Sequence, residues 1–76
     1  MPNAEIRISN RSDQSIELLL EPEGNSLTLP ANTTYVVSLI GGSVDDAQLE
    51  VEYVQDQIRL YAMLPKQVWK DEERLA

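Results

Sequence analysis

Carboxylates are the residues of this chain whose type and spacing could do chemistry. Glu50 and Glu52 alternate with Leu49, Val51 and Tyr53, so an extended segment would carry both acids on one face. A catalytic carboxylate pair must hold its two pKa values apart, which requires a cleft that gives each acid its own environment. A chain of 76 residues has little depth for such a cleft. The pair therefore reads as a solvated strand face, where like charges also deter edge-to-edge association. Glu17 joins this face only if its own strand lies near. Glu21 and Glu23 flank Pro22 and lead into Gly24-Asn25. That is the chemistry of a tight turn, and the regular ligand spacing of a calcium loop is absent. Asp45-Asp46 and Asp71-Glu72-Glu73 read as solvated turns for the same reason.

What is missing narrows the chemistry further. There is no Cys, hence no disulfide framework, thiolate metal site or thiol nucleophile, and no His, the commonest general base and transition-metal ligand. The expectation is a protein that is not an enzyme and has no cofactor and no metal. Thirteen Asp and Glu against six Lys and Arg give a net charge of −7. The imbalance is uneven: residues 1–56 sum to 2 − 10 = −8 and residues 57–76 to 4 − 3 = +1. Direct binding to nucleic acid or to an anionic membrane needs clustered cations, so neither is expected. Gly41-Gly42-Ser43 lacks the lysine of a phosphate loop, and Asp45 and Asp46 would repel phosphate. No apolar run approaches the roughly 18–20 residues that span a bilayer. The opening Met1-Pro2-Asn3-Ala4-Glu5 has neither the basic start nor the apolar stretch of a leader, so a cytoplasmic location is expected. On that expectation the glycosylation sequons at Asn10-Arg11-Ser12 and Asn32-Thr33-Thr34 are chance.

The elements that must position these residues follow a period of two. Ile6 and Ile8, then Ile16, Leu18 and Leu20, then Leu27 and Leu29, each alternate with polar residues, with Leu19 out of phase. Residues 33–40 are apolar on both faces: Tyr35, Val37 and Leu39 on one, Val36 and Ile40 on the other. Leu49, Val51 and Tyr53 form the cleanest half-buried pattern, which predicts a core position for Tyr53. Ile58, Leu60 and Ala62 follow, with Tyr61 out of phase, and Val68-Trp69 close the series. Turn residues separate the runs: Asn10-Arg11-Ser12-Asp13, suited to Asx-type turns, Pro22-Glu23-Gly24-Asn25, Pro30-Ala31-Asn32, Gly41-Gly42-Ser43, Gln55-Asp56 and Pro65. The Gln55-Asp56 link requires Asp56 or a neighbour in a left-handed conformation. A polar turn at Asp71-Glu72 with a short last strand fits the tail, although its composition also suits a helix too short to stand alone. The fold class expected is all-β: a small single-domain antiparallel β-sandwich of about seven short strands, spanning residues 1–76.

Ile8-Ser9-Asn10-Arg11-Ser12-Asp13, Ile16-Glu17-Leu18 and Glu21-Pro22-Glu23-Gly24 resemble a group of small uncharacterised bacterial all-β proteins. Their pattern is strand, Asn-x-Ser turn, apolar strand and Glu-Pro-aromatic-Gly turn. Leu49-Glu50-Val51-Glu52-Tyr53 and Ile58-Arg59-Leu60-Tyr61-Ala62 fall where that group carries an acidic and an aromatic-bearing strand. The resemblance covers residues 5–75 and implies an all-β single domain, with no assigned activity. Glu23 stands where an aromatic is usual, and Ala31-Asn32 replaces a Pro-Gly turn.

The functional expectation is a non-catalytic protein-interaction module that binds a protein partner or a second copy of itself. Leu19, Val36, Ile40 and Tyr61, out of phase with the core, are its candidate apolar contacts. A second expectation is a small acidic inhibitor, of the immunity type, that blocks a basic enzyme by placing Glu17, Glu21, Glu23, Glu50 and Glu52 where phosphates would lie. A third is a calcium- or carbohydrate-binding domain.

Overall fold

In most of the chain the alternation of apolar and polar residues becomes an alternation of buried and exposed side chains. The computed structural model describes residues 3–76; Met1 and Pro2, which begin the stretch read as lacking a leader, lie outside them. The elements in order are β1 (Ala4–Asn10), β2 (Ile16–Glu21), β3 (Asn25–Leu29), β4 (Thr33–Leu39), α1 (Val44–Ala47), β5 (Glu50–Val54), β6 (Gln57–Tyr61), β7 (Lys66–Lys70) and β8 (Glu73–Arg74). Two four-stranded sheets form, one ordered β1-β4-β7-β8 and the other β3-β2-β6-β5. The fold is an all-β, sandwich-like single unit.

The core lies between the sheets. Ile8, Tyr35, Val37, Leu39 and Val68 enter it from the first sheet, and Leu18, Leu20, Leu29, Leu60 and Ala62 from the second. The Tyr35 hydroxyl donates to the Thr28 carbonyl at 2.8 Å, which satisfies the one polar atom that side chain brings inside.

One pairing departs from the expected antiparallel pattern. β2 and β6 run parallel, with Leu18 beside Ile58 and Leu20 beside Leu60, whereas every other pair is antiparallel. A parallel pair needs a long crossover, and the chain makes it by passing through β3, β4, α1 and β5 before entering β6. The short last strand expected after a turn at Asp71-Glu72 does form, as an eighth strand: Asp71 takes a left-handed conformation (φ 54°) and folds Glu73–Arg74 back onto β7. Gln55 (φ 55°) supplies the left-handed residue that the β5–β6 link requires.

The turns are held by polar side chains. Asn10 is buried: its amide donates to the carbonyls of Gln14, Leu29 and Pro30 at 2.7, 3.1 and 3.1 Å. Its Oδ1 accepts from the backbone N–H and the hydroxyl of Ser12 at 3.1 and 2.8 Å, an Asx-type turn that gives the Asn-x-Ser spacing its physical reason. The link after β4 contains a turn of helix. Ser43 Oγ accepts from the Asp46 N–H, and the Asp46 carboxylate accepts from the Ser43 N–H, a reciprocal cap. Those Ser43 hydrogen bonds, the backbone one first, hold the Asp46 carboxyl below its ordinary 3.8. A Cβ at Gly42 would come 2.9 Å from Leu64 Cδ1 and 3.1 Å from Asp46 Cβ, so any larger residue there must displace the Leu64 side chain.

Candidate functional site: an open strand beside an acidic sheet face

β6 is the ruler for this site, because its neighbours on either side take their facing from it. Directly paired residues share a face. Leu60 is fully buried, so its partners Leu20 in β2 and Val51 in β5 also point to the inner face. Tyr53, paired with Ile58, points the same way. Yet Val51 is 49% and Tyr53 66% exposed, and every residue of β5 is exposed. The expected core position of Tyr53, and the half-buried strand it belonged to, are therefore corrected: the facing is right and the cover is missing.

The facing sheet ends in a short strand. Asn10 and Tyr35 reach across to β3, which places the β3 edge beside β1 and β4 and leaves β5 on the flank of β8. β8 has only two residues, Glu73 and Arg74, both exposed. Beyond it Leu75 and Ala76 stay hydrogen-bonded to Val68 of β7 and pack against the core, a core to which no side chain of β5 belongs. Among the described residues the exposed large apolar side chains are Val44, Val51, Tyr53, Val54 and Met63, all within residues 44–63.

The outer face of the same sheet gathers the acids. β6 lies between β2 and β5, which brings Glu17 and Glu21 onto the same face as Glu50 and Glu52. Across the strands the rows read Thr28, Glu17, Gln57, Val54; then Ser26, Leu19, Arg59, Glu52; then Glu21, Tyr61, Glu50. Arg59 sits among the carboxylates, 3.5 Å from Glu52 and 3.9 Å from Glu21, and one cation against four anions leaves 1 − 4 = −3. Both contacts are half-exposed and weakly stabilising. Gln57 donates to Glu17 at 2.6 Å, and the Tyr61 hydroxyl to Met63 sulfur at 2.8 Å.

The remaining candidates lie elsewhere. Glu23 points away from this face: its carboxylate accepts from Lys66 Nζ at 2.7 and 2.8 Å. That lysine side chain is 1% exposed and also donates to the carbonyls of Ala62 and Leu64, so Glu23 neutralises a buried cation. Leu19 is half-buried within the acidic face, between Ser26 and Arg59. Val36 belongs to the outer face of the other sheet, between Arg7 and Trp69, and is half-buried. It borders a shallow depression of about 310 Å³ with Glu5, Ser38, Gln67 and Trp69. Ile40, half-buried, follows β4, its N–H bonded to the Pro65 carbonyl. Leu19 and Tyr61 thus share the acidic face, apart from Val36 and Ile40, and the in-phase Val51 and Tyr53, passed over by sequence reasoning, are the more exposed.

Among the described residues no three acids converge as metal ligands, and no helix is long and apolar enough to cross a membrane. Compared with protein-family models, with curated proteins and with solved structures, the chain shows no significant match.

Proposed function

We propose that this chain is a non-catalytic protein-interaction module whose contact element is β5. The observation that carries the reading is that Val51 and Tyr53 face the core side yet remain open, beside the free edge of a sheet. Large apolar groups left together on the surface mark an interaction site. A strand edge adds backbone N–H and C=O groups that have no partner on one side. The experiment compares the native chain with Val51→Lys/Tyr53→Lys by sedimentation, alone and in lysate of the source cells. A larger species that disappears with the double variant, while the fold is retained by circular dichroism, is the expected result. A chain that sediments as a monomer under both conditions overturns the reading.

The inhibitor reading remains the second, and the convergence of Glu17, Glu21, Glu50 and Glu52 favours it. Against a basic enzyme, such a face would speed encounter at low salt. Charge reversal at Glu50 and Glu52 then slows association severalfold at low salt, and an unchanged rate removes this reading.

A further inference from the structure

We infer that the occupant of β5 is an extended segment of a partner protein in which basic residues alternate with apolar ones, added antiparallel as a further strand. This rests on the interaction reading above and names the chemistry of the partner. Each residue of β5 fixes what must stand opposite. Glu50 and Glu52 are on the outer face, where the sheet already carries Glu17 and Glu21, so the residues facing them must be Lys or Arg. Val51 and Tyr53 are on the uncovered inner face, so the residues facing them must be apolar. Read along the added strand, the pattern is apolar, basic, apolar, basic. Alternate residues of an edge strand direct N–H and C=O outward, which gives the added segment its hydrogen bonds.

A second copy of this chain fits poorly. Two β5 strands paired antiparallel with their inner faces on the same side have few registers. Centring on Glu52 sets Glu52 against its own copy, and centring on Val51 sets Glu50 against Glu52 twice. Centring on Tyr53 carries Glu50 to Asp56 of the turn. Each places acid opposite acid, which destabilises a strand pair, and each chain brings a charge of −7.

The test uses the full chain and a capped synthetic peptide alternating lysine with valine, followed by fluorescence anisotropy and by amide hydrogen exchange. Expected are saturable binding, slowed exchange of alternate amides in Glu50–Val54, and affinity about tenfold weaker for Glu50→Gln/Glu52→Gln. N-methylation of the peptide at the amides that face β5 abolishes binding, and methylation in the other phase spares it. No binding, binding without protection in β5, or indifference to the phase of methylation overturns the inference. So does a dimer of the chain alone that Tyr53→Lys dissociates, which would make the occupant a second copy. The sedimentation comparison of Val51→Lys/Tyr53→Lys decides the interaction reading separately, so a failed peptide with a surviving complex rejects only the strand-addition mode.

Discussion

β2 and β5 flank the same strand, carry the same alternation of apolar residues with glutamates, and end in opposite environments. Leu18 and Leu20 of β2 are buried, with β3 on one side, β6 on the other and the first sheet above. Val51 and Tyr53 of β5 point in the same direction and meet no such roof. Alternation specifies the face a side chain takes; whether that face is covered depends on the width of the opposite sheet, which is set elsewhere in the chain. On the first sheet Asp71 turns Glu73 and Arg74 back onto β7, and Leu75 and Ala76 continue beside Val68.

The contrast should be widest in core truncations. Leu18→Ala removes a fully buried side chain and is expected to cost about 2–5 kcal/mol, whereas Val51→Ala should cost less than about 1 kcal/mol. Urea denaturation of both variants checks this, and similar losses would mean β5 is covered in solution. Glu23→Gln comes next. It leaves the Lys66 ammonium buried without its anion, and the expected loss is about 2 kcal/mol after allowing for the partial exposure of Glu23. Glu50→Gln, the matching change on the open face, should leave the urea midpoint nearly unchanged, which separates a structural carboxylate from a surface one. Tyr53→Thr should shift the thermal midpoint by only a few degrees at most while weakening any complex made through β5. The smallest effect belongs to Asp46. Its folded-state pKa is lowered, so its contribution is present above 3.8 and lost as pH falls below that value. Asp46→Asn should flatten that acid limb slightly in thermal melts between neutral pH and the acid range.

Much of the architecture was legible because it rests on local chemistry. Asn10 and Ser12, the Pro22–Gly24 turn and the left-handed residue at Gln55-Asp56 mark turns where the structure has them. The strands between them follow the period of two. The convergence of Glu17 and Glu21 with Glu50 and Glu52 was not legible. It depends on β6 inserting between β2 and β5, a long-range pairing with no local signature. The reach of Glu23 to Lys66 was hidden in the same way, since 43 residues separate the partners. Ser43-Val44-Asp45-Asp46 did contain a readable cap signal, Ser followed three residues later by Asp, although a helix of four residues is too short for periodicity to reveal.

The parallel pairing of β2 with β6 also dictates an order of events. During synthesis the hairpin of β2 and β3 emerges early, with Leu18 and Leu20 lacking the neighbour that completes their sheet until residues 57–61 have been made. The second sheet cannot nucleate from its own first half and grow outward; its two hairpins must meet across most of the chain. Loop closure over such a distance precedes any gain from the contacts it creates, so refolding should be slow for a chain of this size, on the scale of about milliseconds to seconds. In that interval the nascent hairpin is itself a strand edge in search of a partner, and the glutamates at positions 17 and 21 stand on it as a guard against the wrong one.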